Sequence, residues 1–245
     1  MVFDCDSTLC GIEGIEVLAR EHRAEIERLT AAAMEGDVPL EVVYGRRLAL
    51  VRPGRTRIEA LGRRYIETLV PDARAVVAAL QAEAIVVRVV SGGLLPAVLP
   101  LAAALGIGAD DVAAVDVHFD AAGEYTGYDT NSPLARAGGK AEVMVRWRRA
   151  GPIPMLLVGD GATDLEARDA VEVFVAFAGV VERAAVTAAA DVVVRASSLA
   201  PILPLALGGR PPAGAVGRAL YERGLALLDD AARATLDHSS TMMER

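Results

Sequence analysis

Short apolar runs recur along this chain, and stretches of helical periodicity separate them. Val2-Phe3 is a stub of strand that stops at Asp4. Ala84 to Val90, Met155 to Val158, Val171 to Phe177 and Asp191 to Val194 repeat the pattern, rich in Val and Ile. Near-continuous apolar runs with helices between them predict an α/β fold whose parallel sheet is covered on both faces. Ile15, Leu18, Ala19, His22, Ile26 and Leu29 share one helical face, and Ile58, Leu61, Tyr65 and Leu69 share another. About 55 residues inserted after the first strand are too many for a simple crossover, so they predict a small helical cap over the strand ends. His22, on the apolar stripe, reads as a packed histidine. Val115, Val117 and Phe119 alternate with Asp116, His118 and Asp120, and Tyr125 to Tyr128 follow Gly123. That pattern predicts a peripheral β-hairpin with His118 on its polar face. Gly208-Gly209-Arg210-Pro211-Pro212 reads as a linker or turn. Val216, Leu220, Leu227 and Ala231 then predict one more amphipathic helix, with frayed residues after about Asp237.

Composition narrows the class. With 245 residues, 53% of them hydrophobic, the chain can bury one domain with a sizeable insertion. The net charge of −8 argues against nucleic acid or an anionic membrane as a partner. The uncharged run from Val89 to Ala109 approaches the ~20 residues a bilayer needs, but Ser91-Gly92-Gly93, Pro96 and Pro100 interrupt it. No basic and apolar leader precedes Asp4, so a cytoplasmic protein is the expectation. Cys5 and Cys10 are too few for a disulfide scaffold and lack zinc spacing. They read as two reduced thiols near the core.

Four segments carry candidate chemistry. In Asp4-Cys5-Asp6-Ser7-Thr8, two carboxylates follow a strand, and their like charges raise one pKa unless a cation sits nearby. A hard divalent ion such as magnesium resolves that conflict with oxygen ligands. One acid can then attack phosphorus while the other handles a proton. Gly159-Asp160-Gly161-Ala162-Thr163-Asp164 repeats the theme after the Met155 run, with Asp160 a metal-ligand candidate and Asp164 a residue that could orient the metal's water. Ser91-Gly92-Gly93, read as following the Val90 strand and preceding a helix near Leu94, is a phosphate seat. Gly138-Gly139-Lys140 supplies the chain's only lysine, a compact charge for a phosphate oxygen. Each segment alone also has a plain reading: an Asp-rich turn with Asp6 as a helix cap, a tight turn, a simple loop, a surface lysine.

Taken in order, these segments resemble the haloacid dehalogenase superfamily of phosphatases. Further residues resemble its phosphoserine phosphatase family: Phe3 to Leu9 with Glu13-Gly14-Ile15, Met34 with Gly36-Asp37-Val38-Pro39, and Arg47-Leu48-Ala49-Leu50. Gly138-Gly139-Lys140, Gly159 to Asp164, and Ala176-Phe177-Ala178-Gly179 with Arg183 fit as well. The resemblance covers roughly residues 2 to 205. It implies a Rossmann-like three-layer core from residues 1–12 and 71–206, a cap over 13–70, and a helical extension and tail over 207–245.

The resemblance also implies roles. Asp4 attacks phosphorus and forms an aspartyl-phosphate. Asp6 protonates the leaving serine oxygen and then deprotonates water. Ser91, the Gly92 N–H and Lys140 hold the phosphoryl oxygens, and Gly93 and Thr163 are further substrate-binding residues. Asp4, the Asp6 carbonyl and Asp160 ligate Mg2+, with Asp164 beside them. Glu13 meets the substrate ammonium and Arg47 its carboxylate, while Met34 and Gly36 line the pocket. O-phosphoserine carries one group for each of these partners, and an Arg fork suits a carboxylate. The reaction implied is the last step of serine synthesis. Rival readings are a related phosphatase or phosphotransferase acting on another small phosphomonoester, and a non-catalytic binder of a phosphorylated amino acid. The short run before Asp4 implies a clipped first strand, and no separate regulatory domain is expected. The segment after Ala206 is left open as a dimer contact of a homodimer, an added helix on the core, or a tail.

Overall fold

The structure, a computed structural model, describes residues 1–19, 22, 24–26, 28–29, 40–151 and 154–228. Strand β1 (Val2–Phe3) runs into a tight loop, Cys5–Leu9, and helix α1 (Gly14–Leu18). Helices α2 (Leu40–Val51), α3 (Arg55–Glu67) and α4 (Ala73–Ala82) lead to β2 (Arg88–Leu94) and α5 (Leu95–Ala104). β3 (Val112–Val115) precedes a hairpin of β4 (Val117–Phe119) and β5 (Tyr125–Tyr128). Then come α6 (Gly139–Ala150), β6 (Leu156–Gly159), α7 (Ala162–Leu165), β7 (Val173–Phe177), α8 (Ala184–Thr187) and β8 (Val192–Val194). Helices α9 (Ile202–Leu207) and α10 (Ala215–Leu227) end the described chain.

The main sheet has the strand order β3-β2-β1-β6-β7-β8, and its pairs are parallel. β1 is central, with Val2 opposite Arg88 on one side and Leu157 on the other. The chain winds outward from β1 through β2 and β3, then returns and winds the other way from β6. The crevice at the carboxyl end of β1 is therefore the place where such a sheet binds ligands.

Alternation splits the core between the two faces. Phe3, Val89, Val158 and Val175 face one layer with Val76, Val98 and Ile202. Val2, Val90, Leu157 and Phe174 face the other with Val143 and Met144. Each such side chain, fully buried, contributes roughly 1.5–3 kcal/mol, so a strand buried on both faces is well anchored even at two residues. β1 is that short, and the Asp4 N–H extends its pairing by donating to the Val158 carbonyl at 2.9 Å.

Some expectations hold and others need correction. The uncharged run 89–109 divides into β2 and the ten residues of α5, and among the described residues no helix is long and apolar enough to cross a membrane. Ser91, Gly92 and Gly93 lie inside β2, where its register against β3 shifts between Val90 and Leu94. A bulged strand, not a loop, therefore presents them. Val115 belongs to the edge strand β3, so the hairpin begins at Val117. The helix predicted from Ile15 closes at Ala19 after five residues. His22 is half-buried, and His118 is exposed. On α10 the buried residues are Leu220, Tyr221 and Gly224, whereas Val216 is 84% exposed and Leu227 43%. This helix packs on α9 and α4, and Arg223 contacts Asp72, so it is an added helix on the core. The predicted frayed tail lies outside the described residues.

Candidate active site

The loop after β1 turns sharply because Ser7 adopts a left-handed backbone at φ 51° while Asp6 stays extended. The Ser7 N–H donates to the Ile12 carbonyl at 3.3 Å, and the Cys10 N–H donates to the Cys5 carbonyl at 3.1 Å. The reversal brings Asp4 and Asp6 into the same cavity. The Asp6 carboxylate accepts the Gly14 N–H at 2.9 Å, at the start of α1. Ser7 Oγ donates to Glu13 Oε1 at 2.7 Å. Cys5 and Cys10 are buried free thiols.

Beside β1, the end of β6 supplies Asp160. Asp164 folds back over the same turn, and its Oδ2 accepts the Gly161 N–H at 3.1 Å. Residue 159 has to be glycine for this, since a Cβ there would lie 2.2 Å from Asp164 Cγ. Lys140 opens α6 after Gly138, which is left-handed at φ 70°. Gly139 lies so close to the Pro133 carbonyl that a Cβ would come within 1.8 Å of its oxygen. The two glycines thus bring the lysine in beneath the strand ends.

Lys140 Nζ stands 2.8 Å from Asp4 Oδ1 and 2.7 Å from Asp164 Oδ1. All three side chains are buried. Burial pulls the lysine pKa down, but the charges of Asp164 and Asp4 outweigh it and raise the net value, so Lys140 stays cationic. Burial first, then Asp164, pushes the Asp4 carboxyl well above the carboxylate range, against the pull of Lys140. Burial first, then Glu13, raises Asp6 to about 6, close to where a group can both give and take a proton.

Carboxylate oxygens of Asp4, Asp160 and Asp164 all lie within 4.8 Å of one another. Asp160 Oδ1 accepts from Thr8 Oγ1 at 3.2 Å, and Arg183 contacts Asp160 Oδ2. Arg183 Nη2 also reaches Glu13 Oε1 at 3.1 Å. Three buried acids in one place call for positive charge, and an all-oxygen donor set suits a hard divalent ion. The Asp6 carboxylate stands outside this group of three acids.

Asp4, Asp6, Glu13, Asp160 and Arg183 border a cavity of about 230 Å³. That is smaller than the ~300–1,000 Å³ of drug-sized pockets and suits a small metabolite. Its walls bring together Asp4, Asp6, Glu13, Arg47, Ser91, Gly92, Gly93, Lys140, Asp160 and Thr163. Asp164 stands off the wall, against Lys140. Met34 and Gly36 lie outside the described residues. Sequence reasoning missed Tyr44, Tyr65 and Leu134 as wall residues, and gave Arg183 no role. Tyr65 looked like one more apolar position of a helix, and Arg183 reaches Glu13 across 170 residues of sequence.

The haloacid dehalogenase-like hydrolase family model matches residues 1–168. The chloroplastic phosphoserine phosphatase of Arabidopsis thaliana is 39% identical over 194 residues, 77% of this chain and 66% of that protein, so the chain spans just under two thirds of the plant relative's length. The Homo sapiens phosphoserine phosphatase is 36% identical over 184 residues, 74% of this chain and 82% of that protein. A substrate-bound phosphoserine phosphatase complex has a TM-score of 0.70 at 27% identity, covering 83% of this chain and 96% of that one. A phospho-aspartyl intermediate analogue of phosphoserine phosphatase, also 27% identical with the same coverage, gives 0.69. The chain belongs to the haloacid dehalogenase-like hydrolases and, within them, to the family of these phosphoserine phosphatases.

Proposed function

We propose that this chain is a phosphoserine phosphatase, hydrolysing O-phosphoserine to serine and phosphate through an aspartyl-phosphate on Asp4. One observation carries the reading. A single small cavity has Asp4, Lys140 and Ser91 in its wall together with Glu13 and Arg47. The substrate's phosphate, ammonium and carboxylate each meet a partner of suitable charge there. The relatives named above support the same substrate.

An Asp4 carboxylate oxygen attacks phosphorus, and the bond from phosphorus to the serine oxygen breaks. Asp6 gives its proton to that oxygen, so serine leaves neutral at the hydroxyl. Water then attacks the phosphorus, passes a proton to Asp6, and frees phosphate and the Asp4 carboxylate. Lys140 and Ser91 hold phosphoryl oxygens throughout, and the positive charge of Lys140 favours the charge that shifts in the transition state. In this reading the described helices within residues 13–70 act as a cap that excludes water while transfer proceeds. A magnesium ion would be held by Asp4, Asp160 and the Asp6 carbonyl, with Asp164 beside them, and would supply further charge neutralisation at the phosphoryl group.

Two outcomes test this reading. Chelation with EDTA is expected to stop phosphate release from phosphoserine, and added Mg2+ to restore it. Absence of metal-dependent release from any small phosphomonoester would instead favour a binding protein. The second test separates phosphoserine from other phosphomonoesters. Arg47→Ala is expected to cost ~2–5 kcal/mol in kcat/KM for phosphoserine, as when a buried charge loses its partner. Hydrolysis of an aryl phosphate, which has no carboxylate for Arg47 to hold, should be spared. Equal losses on both substrates in steady-state assays would move the reading to a related phosphatase or phosphotransferase.

A further inference from the structure

The peptide joining Gly92 to Gly93 is gripped at both of its polar atoms. Its carbonyl oxygen, on Gly92, accepts a hydrogen bond from Tyr44 Oη at 2.9 Å. Its N–H, on Gly93, donates to Ser91 Oγ at 2.9 Å. A hydroxyl that accepts through a lone pair must direct its own hydrogen elsewhere. Ser91 is buried and lines the cavity, where that hydrogen can meet a phosphoryl oxygen. The three groups form one chain: Tyr44 hydroxyl, Gly92–Gly93 peptide, Ser91 hydroxyl. In this partly buried setting each such bond polarises the next.

Tyr44 is built to hold that position. Its ring lies 5.3 Å from the ring of Tyr128, tilted by 58°, so β5 supports it from behind. The neighbouring Gly45 leaves room for this, since a Cβ there would lie 2.9 Å from Tyr128 Oη. Burial, then the neighbouring Tyr128, pushes the Tyr44 phenol above its ordinary range, so it remains a donor. Gly93 is equally constrained, because a Cβ there would come within 3.0 Å of Ser91 Oγ and 3.2 Å of Asp6 Oδ2.

We propose that Tyr44 is a positioning residue for phosphoryl transfer, which fixes the Gly92–Gly93 peptide so that Ser91 presents its hydroxyl hydrogen to the phosphoryl group. The proposal rests on the reading of the cavity as a phosphoserine site. Tyr44 and Arg47 are three residues apart on α2 and so share a face. The same bond therefore ties the helix that carries Arg47 to the strand that seats the phosphate.

A double-mutant cycle on the full chain with Mg2+ and O-phosphoserine tests it. Tyr44→Phe keeps the ring against Tyr128 and removes only the hydroxyl. It is expected to lower kcat about three- to tenfold, the scale of one hydrogen bond, with a melting temperature near wild type. In a Ser91→Ala background the same change should cost less than about twofold, because the hydroxyl it orients is gone. Losses that multiply independently, or a Tyr44→Phe enzyme within twofold of wild type, overturn the positioning role. A kcat loss that only tracks a lowered melting temperature overturns it too. Wild-type enzyme without phosphoserine turnover would sink the underlying reading, and the proposal with it.

Discussion

Asp4→Asn is expected to remove phosphoserine turnover while the fold survives. The amide has the shape of the carboxylate but no oxygen nucleophile, and loss of a nucleophile commonly costs on the order of 10⁴–10⁶ in kcat. Uncatalysed phosphomonoester hydrolysis is so slow that almost no background remains to be measured. The stability cost should be small, because two effects oppose each other. Lys140 loses one of its two charged partners, Asp4, and keeps Asp164. At the same time the buried acid whose ionisation is opposed by burial and by Asp164 is gone. Two measurements check this. Thermal melting should place the variant within a few degrees of wild type. Acid-quenched wild-type enzyme fed with radiolabelled phosphoserine should carry label on the protein, and the variant should carry none. Retained turnover, or label that survives in the variant, would mean that another group attacks phosphorus.

The sequence made the centre of the site legible because its signals are local. An acid immediately after an apolar run, as at Phe3-Asp4 and Gly159-Asp160, marks a strand end, and a parallel sheet gathers its strand ends at one edge. Asp4 and Asp160 were legible for that reason. Lys140 needed more than spacing, since a lone lysine after two glycines reads equally well as a surface residue; order among the other segments drew it in. What stayed hidden depends on partners far apart or on backbone. Arg183 meets Glu13 from 170 residues away, with no pattern linking them. Tyr44 occupies a helical position that reads as core, and its hydroxyl's partner is the Gly92 carbonyl, which no residue type announces. Boundaries failed where backbone geometry ruled. Glycines after Val90 suggested a turn, yet the strand continues to Leu94 across a register shift. Val115 alternates with the hairpin residues, but it pairs with Leu94 in the main sheet instead.

Lys140→Met should be costly to both activity and stability, and a divalent cation should recover part of the stability alone. Lys140 is buried between Asp4 and Asp164, with Asp160 close to both. Methionine fills a similar volume without charge, so packing is largely retained and the electrostatic loss is isolated. Removing one partner of a buried ion pair leaves the other uncompensated, at a cost of about 3–5 kcal/mol. For a chain of this size that corresponds to a melting temperature lower by ~6–20 °C. Arg183 contacts Asp160 and Glu13 and is already engaged, so it cannot replace the missing charge at Asp4. A cation bound among the three acids can do so in part. Because it binds the folded chain, it should raise the melting temperature of the variant through linkage. Turnover should not return with it, since the lysine's contact with the phosphoryl oxygens is still missing. Calorimetry of both proteins with and without Mg2+, beside phosphate-release assays, checks the three parts together. A variant that melts with the wild type in the absence of metal would show that Lys140 does not compensate this acid cluster.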